Sequence, residues 1–270
     1  MRRSASRLSF VTRMLHVKGA RASMTRAISG ERVLRPPSGK GPERRRLEGT
    51  LVLLEPLDPS RHSRPLYVAS HETEEARRIW TYLPDGPFPD FASFDQWARR
   101  IAVAPDRLFF AFRDKHTGEL GGMATYLDIR PEMGSIEVGY IWFAPSLQRT
   151  RQATEALFLM LSYPFDELKY RRMQWRCNAL NEKSRAAALR LGFTFEGIFY
   201  QHMVVKGCNR DTAWYSLMDH EWPRIRRNFE RWLAPSNFDA EGRQVSSLKA
   251  LNAEAAQQAL AADAPQAVRR

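Results

Sequence analysis

Alternating hydrophobic and polar positions predict several strands in the first half of the chain. The segment GTLVLLEPLD (49–58) predicts an opening strand. RLFFAFRD (107–114), LGGMATYLDI and SIEVGYIWF (135–143) predict a meander of three strands, joined by turns at KHTGE and RPEMG. Helical spacing lies between the first strand and the meander, in SRHSRPLYVASHETEEARRIWTYL and in FDQWARRIAVA, where Ser93 is the expected N-cap.

After residue 143 the pattern predicts helix, strand, helix, strand, strand and a final helix. TEALFLMLSY is helical, and Pro164 should kink that helix near its end. YRRMQWRCNA is a strand, and EKSRAAALRL is a helix closed by Gly192. FTFEGIFYQHMV and DTAWYSLMDHEW are strands around a Lys-Gly-Cys-Asn turn, and WPRIRRNFERWL carries an apolar helical stripe. This order predicts one mixed α/β (α+β) sheet without an internal repeat.

Composition divides the chain into three parts. Residues 1–46 are expected to be a basic, unstructured leader and linker, residues 47–238 the folded domain, and residues 239–270 a loose extension rich in Ala and Gln.

The formal net charge of +12 belongs almost entirely to the leader, where thirteen Lys and Arg face two acids. The leader has no acid before Glu31, which is typical of a mitochondrial transit peptide. An unstructured basic extension, or translation from Met24, explains the same composition. Because the body is nearly neutral, nucleic acid is not an expected partner of the folded domain.

Cys177 and Cys208 are the only cysteines and have no CxxC spacing, so neither a disulfide framework nor a zinc site is indicated and no metal is expected. No stretch approaches the roughly 20 apolar residues that span a bilayer, so no membrane partner is expected. The expected compartment is the cytoplasm, or the mitochondrial matrix if the leader is a transit peptide.

The stretch FAPSLQRTRQATEA (143–156) passes from a strand to a helix. Unpaired amides and the helix dipole make such a helix start suitable for an anion, and Arg149 and Arg151 can add charge-assisted contacts. An ordinary solvated turn fits the same residues, so the loop alone does not decide.

From Leu51 to Trp222 the order of elements and two motifs resemble the GNAT (Gcn5-related) N-acetyltransferases, in the branch with ribosomal-protein alanine acetyltransferases. The first motif is Gln/Arg-x-x-Gly-x-Gly/Ala, matched at 148–153 except that Arg151 replaces the family's glycine. The resemblance implies a mostly antiparallel twisted sheet flanked by helices, and acetyl-CoA as co-substrate. The implied acetyl-CoA-binding residues are Ile141, Phe143, Gln148, Arg149, Thr150, Arg151, Gln152, Ala153, Thr154, Asn181 and Ser184.

The replacement of glycine by Arg151 leaves two outcomes open. A glycine lets the backbone approach phosphate without a Cβ. The arginine side chain either compensates by reaching the phosphates itself, or the site is degraded.

The second motif is NALNEKSRAAALRLGF, in which Asn181, Ser184, Gly192 and Phe193 match the family's Asn-x-x-Ser and Gly-Phe. The resemblance implies that Asn181 hydrogen-bonds the pantetheine arm and that Ser184 protonates the leaving thiolate. Both residues are also ordinary choices for the start of a helix.

The implied reaction is direct attack of an amine on the thioester, whose oxygen is polarised by a backbone N–H near Phe143. Glu137 is the expected base, directly or through a water, because strand alternation puts it on the face of Gly139, Ile141 and Phe143. A carboxylate simply paired with an arginine is the alternative.

Other side chains are weaker candidates for the chemistry. Tyr140 and Tyr200 are further possible proton carriers, and His202 is a residue that could line the acceptor site.

GxNRDTAWYS, EWP and the NFDAEGRQ ending resemble a bacterial subgroup. Arg210 and Asp211 are expected in a hairpin turn over the acceptor pocket, or as an ion pair within that turn. The acceptor stays open among a protein N-terminus, an amino acid, a polyamine and an antibiotic. A CoA-binding module without turnover, and a ribosome- or RNA-associated protein anchored by the leader, are the alternative functions. The final helix could pack on its own sheet or form a homodimer.

Overall fold

The structure is a computed structural model that describes residues 33–254. The chain divides into the units Met1–Pro36 and Pro37–Arg270. The described part of the first unit, residues 33–36, contains neither helix nor strand. The predicted transit peptide therefore falls mostly outside the described residues.

Eight strands form one sheet in the order β1-β2-β3-β4-β5-β6-β8-β7. Neighbouring strands are antiparallel except for β5 and β6, which are parallel. The mixed, mostly antiparallel sheet and its β3–β5 meander are therefore confirmed. The strands are β1 Leu47–Glu48, β2 Val52–Pro56, β3 Leu108–Asp114, β4 Leu120–Arg130, β5 Ser135–Phe143, β6 Arg172–Asn178, β7 Thr194–Val205 and β8 Cys208–Met218.

Helices cover both faces of the sheet and enclose two apolar cores. One core lies beneath α4, α5 and α6, and the other is an aromatic cluster beneath α1 and α3. The apolar stripe predicted for the last helix is confirmed, since Trp222, Ile225 and Phe229 are buried. The helices are α1 Pro59–His71, α2 Glu74–Arg77, α3 Phe91–Ala102, α4 Arg151–Ser162, α5 Glu182–Arg190 and α6 Trp222–Leu233.

Two helix ends were predicted with different success. The expected N-cap at Ser93 is wrong, because α3 begins at Phe91 and the Asp90 carboxylate accepts the Ser93 N–H at 2.8 Å. Pro164 acts as predicted. The α-helix α4 ends at Ser162, and a π-helical turn, Tyr163–Glu167, follows it.

The segment before β1 was expected to be a linker, but residues 38–46 pack on the body. The Arg44 guanidinium donates to the carbonyls of Ala102 at 3.0 Å and Leu57 at 3.1 Å. The Tyr170 hydroxyl donates to the Lys40 carbonyl at 2.8 Å. This segment is held by side-chain hydrogen bonds to distant backbone groups, which leave no periodic pattern in the sequence. The sequence therefore wrongly indicated an unstructured linker.

Residues 239–254 were expected to be loose, and this is also wrong. Residues 248–254 are helical, and Leu248 and Leu251 are buried. The buried Asn228 amide donates to the Leu251 carbonyl at 3.1 Å and to the Asn252 side chain at 2.9 Å. Residues 255–270 lie outside the described part. Within residues 33–254, no helix is long and apolar enough to cross a membrane.

Candidate active site

Strands β5 and β6 separate part way along their length and open a cavity. Their parallel pairing joins Ser135–Glu137 to Arg172–Gln174 and goes no further. Beyond this point the two strands line a cavity of about 550 Å³ together with residues 79–85 and the β7–β8 hairpin. The volume falls within the range of small-molecule sites.

A β-bulge at Tyr140 changes which side chains of β5 face this cavity. Tyr140 has a φ of 54°, and the register with β4 shifts between the pairs Trp142↔Met123 and Gly139↔Thr125. The extra residue places Gly139 and Trp142 on one face and turns Phe143 to the other, where its ring lies 5.5 Å from that of Phe112.

The predicted alternation, with Glu137 and Phe143 on one face, is therefore wrong beyond Gly139. Period-two alternation holds only while each residue of one strand faces one residue of the next. Ile141, beside the bulge, still lines the cavity. The side chain of Phe143 does not, because it packs in the core.

Glu137 reaches the cavity from the floor of the cleft. It is 4% exposed and forms an ion pair with Arg176 of the neighbouring strand β6. Burial raises the pKa of Glu137 to about 7, although the hydrogen bond and charge of Arg176 act in the opposite direction. The pairing of Glu137 with an arginine is therefore confirmed. A pKa near neutrality is compatible with the role of base, which stays a prediction.

Ser184 and Asn181 also line the cavity, at the start of α5. The Asn181 side-chain oxygen accepts the Ser184 N–H at 3.1 Å and caps the helix. The indole N–H of Trp175 donates to Ser184 Oγ at 3.0 Å. Because an acceptor position of this hydroxyl is used by Trp175, its own proton can be offered to a neighbouring group.

The loop between β5 and α4 presents amides of the kind that an anion needs. Thr150 is the N-cap, and its hydroxyl accepts the Ala153 N–H at 3.1 Å. The Thr154 amide bonds to the Thr150 carbonyl at 3.4 Å. Within the described residues, no partner accepts the amides of residues 149–152. Four consecutive unpaired N–H groups at a helix start form an anion-binding concavity.

Most side chains of this loop are already engaged. Gln148 Nε2 donates to the Phe143 carbonyl at 2.9 Å, and Gln152 Nε2 donates to Asp114 at 3.1 Å. Arg151 Nη2 donates to the Leu233 carbonyl at 2.9 Å. The exposed Arg149 has a φ of 63°. Arg149 is therefore the loop cation best placed to add charge for an anion.

The conformation and contacts of Arg151 bear on the question that the missing glycine left open. Arg151 is the first residue of α4, where the backbone is helical and any Cβ is tolerated. Its guanidinium lies 4.2 Å from the centre of the Phe238 ring, under the end of α6. The side chain is thus engaged by Leu233 and Phe238, and it does not strain the loop. The position whose left-handed backbone would suit a glycine is that of Arg149.

The NFDAEGRQ ending explains how Arg151 is held. Asp239 Oδ1 accepts the Arg243 amide at 2.8 Å, which closes a tight turn. The Trp232 indole donates to the Gln244 side chain at 2.8 Å, and its ring packs edge-on against Phe238. This turn fixes Phe238 beneath Arg151, so the ending supports the start of α4.

Two tyrosines considered as proton carriers do not suit that role. The Tyr140 hydroxyl donates to Asp85, and burial, with the Asp85 carboxylate, raises the pKa of Tyr140 far above its usual range. Tyr140 therefore keeps its proton. Tyr200 is 75% exposed on the edge strand β7.

One wall of the cavity is formed by the β7–β8 hairpin, whose turn was predicted at residues 206–209 and is two residues shorter. The two-residue turn is Lys206–Gly207, and Arg210 lies within β8 opposite Met203. Asp211 accepts the Gln201 amide at 2.7 Å, and no ion pair with Arg210 forms among the described residues. The placement of these residues in the turn and the ion pair between them are therefore wrong, although Arg210 does line the cavity.

Sequence reasoning missed two arginines and left one histidine out. Arg107, Arg176 and His202 line the cavity, and His202 Nδ1 lies 3.0 Å from Thr212 Oγ1. The available signal was an arginine on the polar side of a strand that alternates with core residues, as in MQWRC of β6. That signal does not reveal which acid the arginine will face.

Comparison with known proteins gives this cavity its chemical context. Residues 52–194, more than half of the chain, match the family profile of the acetyltransferase (GNAT) domain. A GCN5-related N-acetyltransferase from Brucella melitensis is 44% identical, with a TM-score of 0.78, over 81% of this chain and 97% of that structure. A structure from Chromobacterium violaceum described as one of the "probable acetyltransferases (GNAT family)" is 35% identical, with a TM-score of 0.64, over 81% of this chain and all of that one.

A curated relative is also similar. The "Putative ribosomal N-acetyltransferase YdaF" of Bacillus subtilis is 28% identical over 180 residues, which is 64% of this chain and 92% of that protein. The family match, the splayed strands and the amide-rich loop agree with one another, and this chain belongs to the GNAT acetyltransferase family.

Proposed function

We propose that this protein moves an acetyl group from acetyl-CoA to a primary amine by direct attack, without a covalent enzyme intermediate. Membership of the family makes it an acyltransferase, and enzymes of this fold use acetyl-CoA. The observation that carries the proposal is that Glu137, which titrates near neutral pH, and the Ser184 hydroxyl line the same cavity.

The chain's own groups fit the co-substrate. The unpaired amides of residues 149–152 and the Arg149 side chain would hold the pyrophosphate. The arm would enter between β5 and β6, where Ile141 and Asn181 line the cavity and strand pairing has ended. Thr150, Arg151 and Gln152 would contribute these amides, while Gln148, Ala153 and Thr154 would shape and support the loop, and Phe143 would contribute backbone only.

Proton transfers at the amine and at the thiolate complete the reaction. Glu137 takes a proton from the acceptor ammonium, directly or through a water, and the neutral amine attacks the thioester carbon. A backbone N–H of β5 near Phe143 polarises the carbonyl oxygen. The C–N bond forms, the C–S bond breaks, and Ser184 gives its proton to the leaving thiolate. The second proton of the attacking nitrogen passes through water to the Ser184 oxygen and restores the hydroxyl. Holding amine and thioester together in the cavity supplies much of the rate enhancement.

A thermal-shift titration of the full chain with acetyl-CoA, followed by a DTNB assay of thiol release over a panel of amines, tests the proposal. We expect stabilisation by acetyl-CoA and amine-dependent thiol release that Glu137→Gln reduces by about 100-fold or more. Stabilisation without release for any amine would leave a CoA-binding module instead. That alternative rested on the lost glycine, and the helical backbone of Arg151 argues against it.

Three sequence-based expectations stay proposals. The cytoplasm remains the expected compartment, a homodimer through α6 remains one outcome, and ribosome or RNA binding through the leader depends mostly on residues outside the described part. Buried Trp222 and Trp232 pack within this chain, which supports a stabilising role for α6 in the monomer.

A further inference from the structure

The charges that face the cavity are unevenly paired. Two acids, Asp85 and Glu137, and three arginines line it. Glu137 pairs with Arg176, and Asp85 accepts the Tyr140 hydroxyl. Arg107 is bound by both oxygens of Asp106, at 3.1 and 2.7 Å. The third arginine remains to be accounted for.

Arg210 is the arginine of the cavity without an acidic partner. Across residues 33–254, no carboxylate forms a salt bridge with it, and its buried Nε has no hydrogen-bond partner. It lines the same cavity as Glu137 and Arg176. Arg210 is half-buried, and removing a guanidinium from water without a counter-charge costs free energy. An anionic group on a ligand would offset that penalty.

The neighbourhood of Arg210 limits where such an anion can lie. Glu137, the proposed base, lines the same cavity as Arg210. An acceptor whose amine reaches Glu137 can therefore place an acidic group of the same molecule beside Arg210. Arginine is the side chain that best matches the planar geometry of a carboxylate.

We propose that Arg210 binds the carboxylate of the acceptor, so that the substrate class is a small amino carboxylate, a free amino acid being the simplest example. The inference rests on the proposed function and specifies its acceptor. The excess of arginine over acid in the cavity opposes a polyamine, because a second ammonium group would meet like charge.

The test compares acceptors that differ at the carboxylate alone. Thiol release by the full chain is measured with several α-amino acids, with the carboxamide and the decarboxylated amine of each, and with spermidine. For the preferred amino acid we expect kcat/KM about 10- to 100-fold above that of its carboxamide, the range for one charge-assisted contact. Spermidine should be the poorest acceptor.

Variants at Arg210 separate recognition from folding. Arg210→Gln should lower kcat/KM about 10- to 100-fold for the amino acid, mainly through KM, and change the carboxamide less than about threefold. Arg210→Lys should recover part of the preference. Arg99→Gln is the matched control, because Arg99 is an exposed residue of α3 that pairs with Asp95. A thermal shift with acetyl-CoA confirms that each variant is folded.

Three results would overturn the inference. A carboxamide or an amine used as well as its amino acid would remove the carboxylate site while leaving the acetyltransferase proposal intact. If Arg210→Gln lowered kcat/KM equally for every acceptor, Arg210 would act on the thioester substrate, which is common to all these reactions. Absence of amine-dependent release from every acceptor would reject both the inference and the proposed function.

Discussion

Arg176 and Glu137, on the neighbouring strands β6 and β5, form an ion pair at the point where these strands separate. The Arg176 guanidinium also lies 4.7 Å from the centre of the Trp214 ring, which fixes it on the cavity wall. Burial pushes the pKa of Glu137 up and Arg176 pulls it down, and the balance is about 7. A structural ion pair thus tunes the group proposed as the base.

The first prediction concerns the pH dependence of turnover. The base acts when ionised, so kcat/KM should fall tenfold per pH unit below about 7 and level off above it. Arg176→Met removes the charge that lowers this pKa, so the acidic limb should move to higher pH by on the order of one unit.

The matched control is Arg172→Met, because Arg172 lies on the same strand but pairs with Glu196. Its pH profile should resemble that of the wild type. If the acidic limb persists unchanged in Glu137→Gln, another group is the base.

The second prediction concerns the hydroxyl that Trp175 holds. Ser184→Ala should reduce kcat by about 100-fold while leaving the dissociation constant of acetyl-CoA nearly unchanged, because the hydroxyl acts on the leaving group. Trp175→Phe removes one hydrogen bond to Ser184 and should reduce kcat by about 2- to 10-fold. Single-turnover kinetics and calorimetry measure the two quantities.

Ser162→Ala is the control, since that hydroxyl donates to the Phe158 carbonyl within α4. An unchanged kcat in Ser184→Ala would remove the acid role.

The third prediction separates the two arginines of the amide-rich loop. Arg149→Gly removes the guanidinium and suits the left-handed backbone, so acetyl-CoA should bind about 3- to 10-fold more weakly with no loss of melting temperature. Arg151→Ala loses its contacts with Leu233 and Phe238 and should lower the melting temperature instead.

Phe238→Ala should reproduce the effect of Arg151→Ala, because both remove the same stacked contact. Calorimetric titration and thermal unfolding of the three variants decide the matter. A loss of acetyl-CoA affinity in Arg151→Ala without loss of stability would mean that this side chain does reach the phosphates.

The fourth prediction concerns the buried histidine His71, whose ring lies 5.4 Å from that of Trp80. The Phe88 amide donates to His71 Nε2 at 2.9 Å, which requires a neutral imidazole, and burial lowers the pKa of His71. As the pH falls, His71 therefore binds a proton more readily in the unfolded chain than in the folded chain. This contribution to stability is present above the unfolded pKa of about 6.5 and should be lost as the pH falls below it.

His71→Ala should cost about 1–3 kcal/mol at pH 8, since the buried Phe88 amide loses its acceptor, and should weaken the decline of stability below pH 6.5. His71→Gln is the control that retains an acceptor. Urea unfolding across pH measures both effects. If the stability of His71→Ala declined with falling pH as that of the wild type does, another group, such as the buried His62, would cause the decline.

The sequence by itself determined the local elements of this protein and the motif residues that sit on them. Apolar residues repeating every two positions predicted the strands of the sheet, and apolar residues repeating every 3.6 positions predicted the stripe of α6. Gly192 has the positive φ, 97°, expected at a helix end. Asn181 and Ser184 were found through their resemblance to a family motif, and the local hydrogen bond between them spans only three residues.

Only the tertiary structure decided the rest. The bulge at Tyr140 depends on pairing with β4, and it reversed the face of Phe143. The partners of Arg151 and of Glu137 lie tens of residues away, as do the contacts that hold the C-terminal residues 239–254. Periodicity records which face of an element is apolar. It does not record which distant group completes a hydrogen bond or an ion pair, because that choice depends on how the elements pack together.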